Sequence, residues 1–204
     1  MRTPDADDPA PQDALNLFDE DRVRLSQTEA LGELRDDLLR SSYQPGDVRL
    51  DSGVDQPYFF DKYLMISRPA ILRRLSRFMA ALVPSGTERI ASPTLGVVAI
   101  GTSVSLETGL PFAIVRTQWD ADKRGHAVEG GLHLGETVVL IEDVVVTGSR
   151  ALQAIDRLRS QGAEVQAVLC VVDCERGADA RLASESVDFL SLFRYSAFSQ
   201  LTEP

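Results

Sequence analysis

The sequence predicts an α/β protein whose sheet is mainly parallel and covered by helices on both faces. Apolar, β-branched runs alternate along the chain with segments whose apolar residues recur at helical spacing. The run that begins at Thr137 is too continuous for a half-exposed strand. It leads through a Thr-Gly-Ser turn into a helical pattern that reaches Ile155, which indicates a buried strand, a tight turn and a helix.

Composition limits the class of protein. The 204 residues fit one domain with a small appendage, and the net charge of −10 argues against nucleic acid as a main partner. No apolar run reaches the roughly 18 residues of a membrane span, and the first residues lack a signal-peptide pattern. We therefore expect a cytoplasmic protein without a membrane partner.

The cysteines and histidines do not form a metal-binding pattern. Cys170 and Cys174 lie four residues apart near the end of an apolar run, a spacing that favours small buried side chains over redox chemistry. The two histidines are isolated from each other and from the cysteines. These features argue against a transition-metal enzyme.

The first third of the chain differs from the rest. Residues 1–13 are rich in Asp, Pro and Ala, which predicts a disordered tail. Residues 14–67 are expected to form a helix, begun by a capping box at Ser26–Glu29, and an extended hood or hairpin over Asp47–Asp61. Residues 68–204 form the expected core.

Regular alternation begins at Pro69, which is typical of the first position of a helix. The elements expected after that helix are, in order, a strand at Glu88–Ser92, a helix at Leu95–Glu107, a strand at Pro111–Arg116, a polar loop at Thr117–His133, the Thr137 strand and its helix, a strand at Glu164–Asp173, a helix at Ala178–Ser184 and a strand at Val187–Phe193.

An acidic pair marks the candidate site. Glu142 and Asp143 come at the end of the Thr137 strand, and the carboxyl ends of parallel strands are where open α/β sheets bind ligands. The backbone N–H groups of the following Thr147-Gly148-Ser149 turn suit a phosphate.

The run Val139–Arg150 resembles the 5-phosphoribosyl-1-pyrophosphate (PRPP) signature of type I phosphoribosyltransferases. From Gly46 to about Phe193 the chain is similar to the orotate phosphoribosyltransferase family, and we interpret it as a divergent member. The supporting motifs are Ser52-Gly53 with Pro57-Tyr58-Phe59-Phe60, Pro93-Thr94-Leu95-Gly96, Gly109 to Arg116, Val128-Glu129-Gly130, and Val172-Asp173 with Glu175 to Ala178.

The resemblance implies a type I phosphoribosyltransferase fold with a mainly parallel five-stranded sheet and a small N-terminal hood. It implies a homodimer whose mobile loop reaches into the partner's site. The implied reaction is Mg²⁺-assisted transfer of phosphoribose from PRPP to orotate, giving orotidine 5′-phosphate and pyrophosphate in pyrimidine nucleotide biosynthesis.

The resemblance also implies roles for individual residues. Glu142 and Asp143 would accept hydrogen bonds from the ribose hydroxyls, and Asp143 would meet the metal only indirectly, through PRPP and Mg²⁺. The other expected PRPP-binding residues are Val146, Thr147, Gly148, Ser149 and Arg150 in the phosphate turn and Thr94, Leu95 and Gly96 in the pyrophosphate loop. Arg150 stands where the family has a small residue, so it either adds charge for phosphate or faces solvent.

The catalytic loop departs from the family. Arg116 is kept, but the family's two loop lysines and its His-Gly pair are matched by Thr117, Asp120, Asp122 and Lys123. Carboxylates repel pyrophosphate unless a cation intervenes. The expected catalytic cations are therefore Arg116, Lys123, Arg124 and His126. The last three can substitute only if the loop folds differently.

The acceptor pocket departs as well. Asp51 and Cys174 replace a lysine and an arginine that contact orotate in the family, and a buried anion without partners costs a few kcal/mol. Phe59 and Phe60, beside Tyr58, either stack on the acceptor ring or pack in the core. Val97 replaces a glycine of the pyrophosphate loop and restricts its backbone.

Two main functions remain open. The chain is a PRPP-dependent phosphoribosyltransferase that uses orotate or an altered, neutral or cationic base, or it is a non-catalytic homologue that binds PRPP or a nucleotide as a sensor or partner subunit. A nucleic-acid-binding regulator is disfavoured by the acidic balance and by the lack of a helix-turn-helix pattern before Gly46.

Overall fold

The structure, a computed structural model, describes residues 27–49, 55–93, 95–116 and 126–199. Its helices are α1 (Gln27–Ser42), α2 (Lys62–Ile66), α3 (Pro69–Leu82), α4 (Val98–Thr108), α5 (Ser149–Ser160), α6 (Ala178–Ala183) and α7 (Ser196–Ser199). Its strands are β1 (Tyr43–Arg49), β2 (Asp55–Phe60), β3 (Arg89–Pro93), β4 (Phe112–Val115), β5 (Val128–Glu129), β6 (Thr137–Val145), β7 (Glu164–Asp173) and β8 (Asp188–Arg194).

The chain divides into two compact units, Met1–Glu33 and Leu34–Pro204. The domain boundaries expected after residues 13 and 67 stay predictions. The expected tail at 1–13 and the capping residue Ser26 lie outside the described residues. Within the described ranges, no helix is both long and apolar enough to cross a membrane.

The main sheet has six strands in the order β5-β4-β3-β6-β7-β8. The five strands β4, β3, β6, β7 and β8 run parallel to one another. The sixth strand, β5, pairs antiparallel with β4 at the edge of the sheet. The α/β fold with a mainly parallel five-stranded sheet is therefore confirmed. The prediction of a loop over the whole of Thr117–His133 is wrong in one respect, because this segment contains β5. A two-residue strand is too short to leave a periodic pattern in the sequence.

The core lies between the sheet and α5. Val138 and Leu140 on β6 are fully buried and pack in one cluster with the α5 residues Ala151, Ala154, Ile155 and Leu158. The α5 residues follow helical spacing, so a single stripe of the helix faces the strands. This packing fixes both ends of the turn between β6 and α5.

The entry to α4 differs from the expectation. The helix begins at Val98, three residues later than Leu95, because residues 95–97 form a turn that precedes it. It ends at Gly109, whose φ of 73° is a left-handed conformation that favours glycine. In α3, Pro69 occupies the first turn as expected.

A buried ion pair ties β3 to the segment before β6. Arg89 Nε donates to Glu136 Oε2 at 2.9 Å, and Arg89 Nη1 donates to the carbonyl of Gly130 at 2.7 Å. The N–H of His133 donates to the same Glu136 oxygen. Burial alone would raise the pKa of Glu136, but these donors outweigh it and hold the pKa below its usual value.

The hood is an antiparallel hairpin of β1 and β2, and it starts at Tyr43, slightly earlier than expected. Its aromatic residues pack on the end of the chain. Tyr58 stacks on Tyr195 with ring centres 3.8 Å apart, and Phe60 meets Phe198 edge to face at 5.0 Å. Tyr58 and Phe60 thus pack on aromatic rings of the fold, and a contact of Phe60 with an acceptor ring stays a prediction.

Candidate active site

The acidic pair is buried at the carboxyl end of the sheet. Glu142 and Asp143 are 4% and 5% exposed on β6. Asp143 Oδ1 accepts a hydrogen bond from the N–H of Val144, whereas Glu142 Oε1 and Asp143 Oδ2 have no hydrogen-bond partner among the described residues. Leaving buried acceptors unsatisfied costs roughly 1–3 kcal/mol each. The two oxygens are therefore suited to accept hydrogen bonds from a ligand.

The electrostatics of the pair favour a ligand that brings donors or positive charge. Burial, and then the neighbouring charge of Asp143, raises the pKa of Glu142. The charges of Arg150 and Lys62 act in the opposite direction. Arg150 is exposed, and its two expected roles, adding charge for phosphate or facing solvent, stay predictions.

The Thr-Gly-Ser turn has the geometry of an anion site. Gly148 has a φ of 74° and precedes α5, so the first N–H groups of that helix have no intrahelical acceptor. Thr147 Oγ1 and Ser149 Oγ lie 2.9 Å apart. Both hydroxyls are part-buried beside the helix start, as is Val146 one residue earlier. The turn thus offers hydroxyls and amides to the same ligand.

Arg181 is a site residue that the sequence analysis missed. Its Nη1 donates to the carbonyl of Thr147 at 2.8 Å and to Ser149 Oγ at 2.9 Å. Arg181 lies on the short helix α6, far from the turn in sequence, and an exposed arginine on a helix gives no signal. Its guanidinium adds positive charge beside the turn.

Lys62 is the second residue that was missed. Lys62 Nζ lies 3.6 Å from Asp143 Oδ2, and its side chain is 26% exposed. A Cβ on Gly96 would lie 2.7 Å from Lys62 Cε, so the lysine stem crosses directly over this glycine. Leu95 beside it is exposed, and Thr94 lies outside the described residues. Lys62, the first residue of α2, therefore lies between the Gly96 turn and the acidic pair.

The expected catalytic cations are only partly described. Arg116 Nη2 lies 3.1 Å from Glu129 Oε1, and the N–H of His126 donates to the same oxygen at 3.4 Å. Lys123 and Arg124 lie outside the described residues. Arg116 and His126 thus meet at Glu129 beside β4, and β3 separates that strand from the acidic pair on β6.

The acceptor residues are mostly enclosed. Cys174 is 2% exposed, and burial raises the pKa of its thiol to about 11, so the thiol is neutral near pH 7. Cys170 is also free and buried, in agreement with a structural role for both cysteines. Phe60 is packed in the aromatic cluster, Phe59 is half-buried, and Asp51 lies outside the described residues.

The parallel sheet, the acidic pair and the Thr-Gly-Ser turn together define a type I phosphoribosyltransferase. The orotate phosphoribosyltransferase of Methanocella arvoryzae is 36% identical over 151 residues, which cover 74% of this chain and 86% of the relative. The chain belongs to the orotate phosphoribosyltransferase family. This membership makes it a pentosyltransferase by class and favours the enzyme over a non-catalytic homologue.

Other comparisons agree with this membership. The orotate phosphoribosyltransferase of Thermococcus gammatolerans is 35% identical over 179 residues, which cover 86% of this chain and 95% of the relative. The crystal structure of the Mycobacterium tuberculosis H37Rv enzyme with inorganic phosphate has a TM-score of 0.72 and 25% identity, and the match covers 84% of this chain and 99% of that one. That enzyme in complex with PRPP gives a TM-score of 0.66 at 25% identity, with 83% and 99% covered. No family model matches the chain.

Proposed function

We propose that this protein transfers the phosphoribosyl group of PRPP to orotate and forms orotidine 5′-phosphate and pyrophosphate. One observation carries the proposal. Two buried carboxylate oxygens, which accept no hydrogen bond from the part of the chain that the structure describes, lie beside a Thr-Gly-Ser turn at the carboxyl end of a parallel sheet. The reaction belongs to pyrimidine nucleotide biosynthesis, and we propose that it takes place in the cytoplasm.

The proposed donor site has binding groups for the ribose hydroxyls and for the 5′-phosphate of PRPP. Glu142 Oε1 and Asp143 Oδ2 accept hydrogen bonds from the 2′ and 3′ hydroxyls, which satisfies the buried oxygens. The amides and hydroxyls of residues 147–149 bind the 5′-phosphate, with Arg150 and Arg181 adding positive charge. The Gly96 turn, with Thr94 and Leu95, takes the pyrophosphate.

Mg²⁺ fits this site as a companion of PRPP. Mg²⁺ is usually bound by one or two carboxylates together with substrate phosphates. Since Glu142 and Asp143 bind the ribose hydroxyls in this proposal, Asp143 would meet the ion only indirectly, through PRPP. The described residues contain no cluster of three or more metal-binding side chains, so the phosphates of PRPP would be the main ligands of the ion. Bound with PRPP, the ion would neutralise charge on the departing pyrophosphate.

The residues of the chain support the displacement by position and charge. As pyrophosphate leaves, positive charge develops on the ribose, and the carboxylates of Glu142 and Asp143 stabilise that charge. Arg116 and His126, with Lys123 and Arg124, are the candidate cations for the leaving group. Arg116 must exchange its contact with Glu129 to reach it.

An altered acceptor is the second candidate function. Cys174 is buried and neutral where the family places an arginine against the carboxylate of orotate. A neutral base would lose nothing at this position, whereas orotate must find another cation. Phe59, half-buried on the hood, and Asp51 are the remaining candidates for acceptor contacts.

Assembly as a homodimer forms part of the proposal. It rests on the family resemblance, in which the loop of one subunit enters the site of its partner. Size-exclusion chromatography with light scattering should give twice the mass of the 22.3 kDa chain. A monomeric mass would contradict this part of the proposal.

The function is tested by mixing the protein with PRPP, MgCl₂ and orotate and following the ultraviolet absorbance of orotate. We expect turnover that is lost in Asp143→Asn and kept in Asp156→Asn, which makes the same change at an exposed position of α5. Thermal-shift titrations with PRPP run alongside. Stabilisation by PRPP without turnover of any base would support the non-catalytic homologue, and turnover of another base would support the altered acceptor.

A further inference from the structure

Lys62 occupies a position that its sequence context does not explain. It follows Asp61, whose side chain caps α2 by accepting hydrogen bonds from the N–H groups of Tyr63 and Leu64. The N–H of Asp61 donates to the carbonyl of Ser42 at 2.7 Å. The backbone at Lys62 is therefore held from both sides, and its side chain is directed from the hood toward the sheet.

The ammonium group lies between two features of the site. On one side is Asp143 Oδ2, at 3.6 Å from Lys62 Nζ. On the other is Gly96, where a Cβ would lie 2.9 Å from Nζ and 2.8 Å from Cδ. Gly96 comes two residues before α4, and Val97 makes no side-chain cap on that helix. Lys62 is thus close to both a carboxylate and a helix amino terminus.

Besides its ion pair with Asp143 and its contact with the Tyr63 ring at 5.6 Å, the ammonium of Lys62 lies beside the amino terminus of α4, where both groups could bind one anion. A cation beside the positive end of a helix dipole is unfavourable, and an anion that contacts both removes the conflict. The carboxylate of Asp143, and that of Glu142 when it is ionised, would repel such an anion unless a cation separates them from it. Lys62 lies where that separation is needed.

We propose that Lys62 binds the pyrophosphate group of PRPP and shields it from the acidic pair. This inference rests on the proposed function, because it requires PRPP in the site. Lys62 is one of two lysines in the chain, and the other, Lys123, belongs to the loop whose family pattern is lost. The start of α2 thereby supplies a positive charge from outside the loop.

A structural alternative makes a different prediction. If Lys62 only neutralises buried Asp143, its loss disturbs every ligand that touches the acidic pair. Ribose 5-phosphate and PRPP both present ribose hydroxyls and a 5′-phosphate, but only PRPP carries pyrophosphate. Comparing the two ligands therefore separates the two roles of Lys62.

The test is isothermal titration calorimetry of the full chain with PRPP and with ribose 5-phosphate, in MgCl₂ and without orotate. For Lys62→Met we expect the Kd for PRPP to rise about 10- to 100-fold, the loss typical of a charged hydrogen bond. The Kd for ribose 5-phosphate should change by less than about twofold, because it makes no contact with the ammonium. Lys62→Arg should restore part of the PRPP affinity, since it keeps the charge.

Arg77→Met is the matched control. Arg77 is a partly exposed cation on α3 that pairs with Glu107, at the opposite end of α4 from Gly96. Removing it should leave both Kd values unchanged. If Lys62→Met fails to fold, Lys62→Gln takes its place in the titrations. Thermal unfolding, compared with the wild type, checks that Lys62→Gln is folded.

Two results would overturn the inference while leaving the proposed function intact. One is a wild type that turns over PRPP and a Lys62→Met variant with unchanged PRPP affinity. The other is an equal loss for PRPP and ribose 5-phosphate, which would assign Lys62 to Asp143 alone. A wild type that binds neither ligand would instead defeat the proposed function itself.

Discussion

Glu129 holds the guanidinium of Arg116 at the end of β4, with Arg116 Nη2 3.1 Å and Nε 3.2 Å from Glu129 Oε1. Both side chains are partly exposed, so the pair contributes at most about 1 kcal/mol to stability. The cation that we propose for the leaving group is therefore held by a weak partner.

Replacing Glu129 should improve the use of PRPP. Glu129→Gln removes the carboxylate that competes with pyrophosphate for Arg116, so we expect the KM for PRPP to fall about two- to fivefold, the equivalent of an exposed ion pair. Steady-state kinetics measure this, and Glu107→Gln, which removes the partner of Arg77, is the control. A higher KM in Glu129→Gln would show that Glu129 positions Arg116 for binding.

A methyl group on Gly96 should act through Lys62. Gly96→Ala places a carbon where the lysine stem lies, so the side chain must move and PRPP affinity should fall. In a Lys62→Ala background the same change should cost less, with a coupling of about 0.5–3 kcal/mol in a double-mutant cycle. Gly32→Ala is the control, because the added methyl group meets no described atom within 4 Å. Strict additivity would contradict the contact.

Arg181 should affect the phosphate end of every ligand. Its guanidinium supports the carbonyl of Thr147 and the hydroxyl of Ser149, so Arg181→Met should weaken ribose 5-phosphate and PRPP alike, by about tenfold. Calorimetry with both ligands checks this, with Arg159→Met, whose partner is Glu185, as the control. A loss confined to PRPP would place Arg181 at the pyrophosphate instead.

The Arg89–Glu136 pair should dominate the acid stability of this part of the core. Glu136→Gln leaves the buried guanidinium without its charge partner and should cost about 3–5 kcal/mol in urea unfolding at pH 7. Glu164→Gln, at the exposed start of β7, should change stability by less than about 0.5 kcal/mol. A loss below about 1 kcal/mol in Glu136→Gln would mean that solvent reaches the pair.

The pH dependence of that pair has a definite sign. The pKa of Glu136 is lower in the folded chain than in the unfolded one, so the pair stabilises the fold above the ordinary glutamate pKa of about 4.3. This stability disappears as the pH falls through the lower folded-state pKa. Urea titrations from pH 7 to pH 3 should show this loss in the wild type and not in Glu136→Gln.

The sequence predicted the elements whose patterns are local. The strand from Thr137 and the helix to Ser160 were predictable because burial on both sides of a strand produces a continuous apolar run and burial of one helix face produces a stripe. The acidic pair and its turn were predictable for the same reason, since they lie between these two elements. The start of α4 was placed too early because its turn is also apolar.

The contacts that complete the site were not predictable. Lys62 contacts Asp143, 81 positions away in the chain, and Arg181 contacts Ser149, 32 positions away. A periodic pattern in the sequence does not predict contacts between such distant residues. The hold of Glu129 on Arg116 depends on β5, a strand of two residues. The sequence did not indicate that Phe60 packs against Phe198, because the two residues are far apart in the chain.

The stack of Tyr58 on Tyr195 limits how the hood can move. To swing open, the hairpin would have to withdraw Tyr58 and Phe60 from the rings of the last helix region and expose them to water, at a cost on the order of several kcal/mol. The aromatic contacts therefore oppose opening of the hairpin. Lys62 follows Phe60 by two residues, so the same contacts also oppose movement of the start of α2 away from Asp143.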